Sequence, residues 1–260
     1  VYLLPQDPTL ERFKLAILRL DYWKTAGKSL LYSLSLMAIQ VLVCSMVGYG
    51  FARYSFPLKK LLFGCVVVMI VIPAHTIMLP IYVTFAKFDP LGIVSLLTGS
   101  SKNLLSSPVP MYIMTALGCG LRSGLYIYIF NQFFRGLPKE IEEAALVDGA
   151  TEFQIANKVY IPISKATIAT VALFYGVSRW NGYFWAAQVI SDETQRPLQV
   201  YIKEAIEASQ NADGRPTYDG FAQDSLYYCM IVAAIVPIII IYPFIQKYFA
   251  AGVNLGGVKE

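Results

Sequence analysis

Charge is scarce in this sequence. Asp, Glu, Lys and Arg make up only 15% of it, against about a quarter of an ordinary soluble domain, so water is a poor solvent for most of the chain. Histidine occurs once, as His75 within Ile72-Pro-Ala-His-Thr-Ile77. That excludes a His-Glu-x-x-His metal helix, and it offers no nucleophile a histidine partner outside apolar surroundings, so neither a catalytic residue nor a metal site is expected. His75 itself reads as a hydrogen-bonded packing residue, with a proton relay as the alternative. The four cysteines, Cys44, Cys65, Cys119 and Cys229, have no metal-like spacing and lie in apolar stretches, where they read as small packing residues. No Gly-x-x-x-x-Gly-Lys-Ser/Thr phosphate cradle occurs, so the chain does not bind ATP by that device. A net charge of +4 without any dense basic run interleaved with aromatics argues against a nucleic-acid partner. No basic start followed by an apolar run marks a secretory signal in the first 27 residues.

What the sequence does have is apolar residues in long blocks, 56% of the total. A membrane-crossing helix needs about 20 mostly apolar residues, and residues 29–52, 61–86, 108–134, 166–190 and 226–251 meet that test. Their continuous apolar character excludes the short alternating segments of a transmembrane barrel. The expected class is therefore all-α, a polytopic transmembrane helical bundle. Several spans carry helix-bending residues, among them Pro73, Pro80, Gly118, Gly120, Pro237 and Pro243. These suit close helix packing, or breaks that line a path or act as hinges. Arg122 and Arg179 fall inside apolar stretches, where a charge is costly and usually faces the bundle interior or a wet cavity. Arg122 suits either an anionic solute group or a pairing within a complex. No Asp or Glu lies in any of the five, so an ion-coupled secondary transporter lacks its expected carboxylates. Lysine and arginine are split nine against ten between the two sides, so charge bias leaves the orientation open.

Between the third and fourth stretches lies Gly136-Leu-Pro-Lys-Glu-Ile-Glu-Glu-Ala-Ala-Leu-Val-Asp-Gly149. Pro138 suits a first helical position, Glu140, Glu142 and Glu143 favour the positive helix start, and Gly149 suits a left-handed stop. Ile141, Ala144, Ala145 and Leu146 make an apolar side small enough for another backbone to approach. Thr151 and Gln154 have the spacing of a capping box that opens a second short helix running to Pro162. Physics alone leaves two readings of this protrusion, a surface loop tucked against the membrane border and a docking element.

The pattern Glu143-Ala144-Ala145, three residues, Gly149, nine residues, Val159, one residue, Ile161-Pro162 resembles the EAA loop of ABC-importer permeases, with Val and Ile standing where that pattern has Ile and Leu. Gly124-Leu-Tyr-Ile-Tyr-Ile-Phe-Asn-Gln-Phe-Phe-Arg-Gly-Leu-Pro-Lys-Glu140, Arg179-Trp-Asn-Gly-Tyr-Phe184, and the tail from Gln246 to Lys259 resemble the carbohydrate-importer permeases of the maltose-type, MalG-like class. The resemblance implies a type I permease with a sixth, amino-terminal span ahead of the five seen. It also implies an extracytoplasmic segment 1–27, a permease domain 28–251, a cytoplasmic coupling loop 135–165, an extracytoplasmic loop 191–225 and a cytoplasmic tail 252–260.

In such a protein Glu143, Ala144, Ala145, Asp148, Gly149 and Pro162 would contact a partner ATPase. Arg122, Arg179, Trp180, Asn181, Tyr183 and Trp185 would line the solute path, where aromatic faces and an amide suit a sugar. The implied partners are a second, MalF-like permease, a dimer of cytoplasmic ATPases that hold ATP and Mg, an extracytoplasmic solute-binding protein and membrane lipid. The implied location is the bacterial cytoplasmic membrane. The implied cargo is an oligosaccharide, uronate-containing ones included; an ABC permease for another solute is the alternative.

Overall fold

The computed structural model describes residues 10–210 and 223–256, and the side-chain surroundings over 10–207 and 225–243. Residues 1–9, the 211–222 part of the expected outer loop and the 257–260 end of the tail lie outside the described residues.

Helix α1 (Glu11–Arg19) turns at Asp21 into α2 (Tyr22–Arg53), a continuous helix of 32 residues. At 1.5 Å per residue it is about 48 Å long, more than the ~30 Å hydrocarbon core of a bilayer. The second apolar stretch is not one helix but two, α3 (Lys59–Val71) and α4 (Met78–Ala86). Pro73 causes the break, because the residue before a proline is pushed out of the helical region, and Ile72 is extended with ψ 123°. A short α5 (Ile93–Thr98) follows, and an isolated antiparallel bridge joins Phe88 to Lys102.

The third stretch is also broken, into α6 (Val109–Ala116) and α7 (Ser123–Arg135). Gly118 ends α6 with φ +69°, its N–H bonding Thr115 O at 3.1 Å while the Cys119 N–H bonds Met114 O at 2.9 Å. That paired pattern caps the carbonyls a helix end leaves bare, which hydrocarbon would not satisfy.

After α7 the chain forms α8 (Glu140–Val147), α9 (Glu152–Ile155), a π-helical turn (Ala156–Tyr160) and α10 (Ile161–Ile163). It then bends by 74° into α11 (Lys165–Asn181). The fourth stretch breaks once more before α12 (Phe184–Val189). A last pair, α13 (Leu198–Gln210) and α14 (Gln223–Gly256), completes the described chain. Among the described residues, only α2 and the 225–243 part of α14 are by themselves long and apolar enough to cross a membrane. Of the five expected stretches, the first and the last thus carry a helix that passes by itself, while the second, third and fourth are broken, and among the described residues one bent pair, Glu152–Ile163 with Lys165–Asn181, passes together.

Packing centres on α2, which lies against α7, α11 and α6. Glycine sets the closest approach: a Cβ on Gly48 would sit 2.6 Å from Phe130 Cβ and 3.0 Å from Asn131 N, so α2 and α7 meet backbone to side-chain root. Gly124 lets α7 meet α3 in the same way, 2.7 Å from Val66 O. A second cluster joins α1, α13 and α14 around Leu198 and Met230. Helix α14 runs through Pro237, which cannot supply the N–H that would bond Ala233 O. Tyr22 Oη donates to that carbonyl at 2.9 Å, and Trp180 Nε1 donates to the neighbouring Ala234 O at 3.0 Å. The outward faces carry exposed Leu42, Met46, Val68, Val71, Ile239 and Ile240, the surface a chain offers to lipid.

Candidate functional site

The 136–164 segment stands out because it is charged, helical and tied to the bundle at its base. In α8 the acids Glu140, Glu142 and Glu143 occupy the first turn, where the helix dipole favours them. Gly149 closes α8 with φ +78°; its N–H bonds Leu146 O at 3.0 Å and the Ala150 N–H bonds Ala145 O at 3.0 Å. Thr151 and Gln154 form the reciprocal capping box that opens α9: the Gln154 N–H donates to Thr151 Oγ1, and the Thr151 N–H to Gln154 Oε1. Two short helices thus meet at a left-handed glycine.

The base is held by residues that no motif in the sequence marks. Arg53, the last residue of α2, has a side chain only 5% exposed. Its Nη2 donates to Leu137 O at 2.9 Å, its Nε lies 3.7 Å from Glu142 Oε2, and its guanidinium lies 4.9 Å from the centre of the Tyr160 ring. Tyr160 Oη donates to the same Glu142 oxygen at 2.9 Å. One arginine therefore grips the start, the first helix and the far end of the protrusion. Burial, and after it the bond to Glu142, push the Tyr160 phenol well above its ordinary range. Tyr49 and Phe134 pack on the Tyr160 ring from α2 and α7. No helix periodicity links residues 53, 142 and 160, so only tertiary structure reveals the group. A π-helical turn at Ala156–Tyr160 is the one local irregularity beside it.

The six residues of the EAA-like pattern divide by helix geometry. At 100° per residue, positions 141 and 145 share a face, position 144 sits at its edge, and positions 143 and 147 point away from it. Ile141 and Ala145 are half-buried, and Ala145 packs on the bundle core, whereas Glu143, Ala144, Asp148, Gly149 and Pro162 are exposed. The expected single apolar side of Ile141, Ala144, Ala145 and Leu146 is thus split between two faces. Its outward part is extended by Val147, 87% exposed, and Phe153, 76% exposed.

The expected path residues divide too. Arg179 is 8% exposed, its guanidinium 5.2 Å from the Tyr175 ring centre, and it lies inside the bundle. Trp180 is buried on α14 and Trp185 is buried near the break before α12, so neither offers a ring face to a solute in this conformation. Asn181 and Tyr183 remain exposed at that same break. Arg122 is exposed as well, at the N-terminus of α7, with a left-handed φ of +60° that a non-glycine residue adopts only under strain. It borders an open groove of about 660 Å³ with Ser178 and Tyr242. His75 packs against Phe184 near the Pro73 break, the ring centres 4.8 Å apart and the planes tilted by 53°. Among the described residues, no three of His, Cys, Asp and Glu converge as metal ligands would.

Comparison with known proteins supplies independent findings. The family described as binding-protein-dependent transport system inner membrane component matches residues 27–255. The chain is similar to the arabinooligosaccharides transport system permease protein AraQ of Halalkalibacterium halodurans, 29% identical over 92% of this chain and 75% of that protein. It is similar to the polygalacturonan/rhamnogalacturonan transport system permease protein YtcP of Bacillus subtilis, 30% identical over 85% of this chain and 72% of the relative. Among solved structures it resembles a chain of a bacterial ABC transporter involved in the import of the acidic polysaccharide alginate. The TM-score is 0.74 and the identity 27%, covering 96% of this chain and 82% of that one.

Proposed function

Because this chain belongs to the family of binding-protein-dependent transport system inner membrane components, we propose that it forms one half of an ATP-driven importer pore and takes its drive through the 136–164 protrusion. As an ABC-importer permease it is a transport subunit of the inner membrane, not a catalytic one. The proposed partners are a second permease, two ATPases that hold ATP and Mg, and a solute-binding protein on the opposite face.

One observation carries the role of the protrusion. Its base is fixed to α2 by Arg53, while Glu143, Ala144, Val147, Asp148, Gly149 and Pro162 face outward. A rigid base with an exposed, partly apolar tip suits a docking element, because a push on the tip is delivered to a span instead of being absorbed in the loop. Glu143 and Asp148 would then meet donors on the ATPase, and Ala144 and Gly149 would permit close approach.

The cargo we propose is an oligosaccharide, with uronate-containing chains favoured. The relatives transport arabinooligosaccharides and polygalacturonan or rhamnogalacturonan by their names, and the structural relative serves alginate import. In this chain the exposed Arg122, Asn181 and Tyr183 are the residues able to touch such a solute, whereas Arg179, Trp180 and Trp185 hold the bundle together. The test is uptake of labelled acidic and neutral oligosaccharides by the assembled, reconstituted transporter, wild type and Arg122→Gln. A selective loss of acidic uptake in the variant is expected. An equal effect on both substrates removes Arg122 from the path.

A further inference from the structure

Where α2 ends, α3 begins and α7 ends, the three termini surround a cavity of about 620 Å³ at the membrane border. Lys59, Lys60, Arg135 and Lys139 line it, Arg53 lies at its back, and no Asp or Glu lines it. Basic residues at a membrane border are common. Here two segments far apart in the chain, 53–60 and 135–139, bring five to one cavity, where their mutual repulsion would be relieved by an anion. Arg53 is already neutralised from the protrusion side by Glu142. Lys59 Nζ reaches only a carbonyl, Tyr54 O at 2.6 Å. Among the described residues Lys60, Arg135 and Lys139 form no ion pair.

The rest of the lining says what kind of anion fits. Phe51 and Phe63 form an aromatic wall, and Phe63 sits one turn inside α3, whose outward residues Leu62, Val67 and Ile70 are exposed and apolar. The cavity therefore has a cationic mouth at the level where the helices leave the hydrocarbon, and an apolar surface that continues toward the bilayer. A small soluble anion would use the mouth alone. An amphiphile with a phosphate head and acyl tails would use both.

We propose that this cavity binds the headgroup of an anionic phospholipid, with the acyl chains lying along the outer face of α3. Basic pockets between transmembrane helices are suited to such headgroups, through charge attraction at the surface and chain burial below it. The bound phosphate would bridge the end of α2, the start of α3, the end of α7 and Lys139 at the root of the protrusion. It would thus stiffen the same base that Arg53 holds from the other side.

The test is native mass spectrometry of the assembled transporter, purified in mild detergent and supplied with phosphatidylglycerol or phosphatidylcholine. Phosphatidylglycerol should be retained in preference to phosphatidylcholine on this chain. Its retention should fall by about fivefold for each cation removed in the series Lys59→Gln, Lys60→Gln, Arg135→Gln, Lys139→Gln, and persist when Arg135 becomes Lys and the lysines become Arg. Glutamine substitution of Lys24 and Lys28, at the other end of α2, should leave it unchanged. Equal retention of the two lipids overturns the proposal, as does retention indifferent to the four substitutions. Complete displacement by excess inorganic phosphate also overturns it, by assigning the mouth to a soluble anion. If the glutamine variants fail to assemble, the lipid preference of the wild type and of the charge-keeping variant decides alone.

Discussion

Tyr160 and Glu142 lie 18 residues apart in sequence, yet the Tyr160 hydroxyl donates to Glu142 Oε2 at 2.9 Å beneath the Arg53 guanidinium. This contact closes the protrusion into a loop whose two ends cannot move independently. Removing the hydroxyl with Tyr160→Phe leaves a partly buried carboxylate one donor short, at a cost of about 1–3 kcal/mol. The expected phenotype in the assembled transporter is ATP hydrolysis that proceeds with reduced uptake, together with a lower thermal midpoint. Full uptake per ATP hydrolysed would show that the base need not be rigid.

Gly149 tests the tip of the same element. A Cβ there meets nothing within 4 Å, so Gly149→Ala costs only the left-handed backbone penalty of about 1–2 kcal/mol. Gly149→Pro does more, because proline fixes φ near −65° and removes the N–H that bonds Leu146 O. Transport should be weakened by alanine and abolished by proline, with membrane insertion intact in both. The check is membrane abundance by immunoblot beside uptake; equal uptake in the two variants would contradict it.

Close helix approach gives a prediction independent of function. Gly48→Ala forces a Cβ to within 2.6 Å of Phe130 Cβ, and overpacking of this kind costs about 1–3 kcal/mol. Gly50, two residues on, has open space around it. The first substitution should lower the thermal midpoint in detergent, and Gly50→Ala should not.

Trp180 separates structural from solute-binding aromatics. Its indole N–H donates to Ala234 O in the turn before Pro237 of α14, so Trp180→Phe should cost about 1 kcal/mol of stability and leave the preference among oligosaccharides unchanged. Tyr183→Ala at the exposed break should alter uptake of cargo more than stability. Competition between labelled sugars, run beside thermal unfolding, distinguishes the two.

Much of the fold is legible in the order of the residues. The apolar blocks are long, and that length alone dictates helices in lipid. The glycine stop at 149 and the Thr151–Gln154 box are legible too, because turn and cap chemistry acts within a few residues. Contacts across the chain are what the sequence hides. Arg53 reads as an ordinary border charge and becomes the anchor of the protrusion only where α2 and the 137–160 segment come together. Trp180 reads as a sugar-facing ring because aromatics at a span serve both purposes, and the carbonyl it satisfies lies 54 residues away. The Pro73 and Gly118 breaks are visible as residues, but how completely they divide the helices is set by backbone geometry.

The most direct measurement is co-purification of the partner ATPase with this chain, paired with solute-stimulated ATP hydrolysis, for the wild type, Glu143→Lys and Gly149→Pro. Glu143 is exposed at the tip and makes no bond to the bundle among those described, so reversing its charge should spare the fold and disrupt docking. Loss of both ATPase retention and stimulated hydrolysis in the two variants is the expected result. Normal retention and normal stimulated hydrolysis in both would contradict the assignment of the 136–164 protrusion as the coupling element.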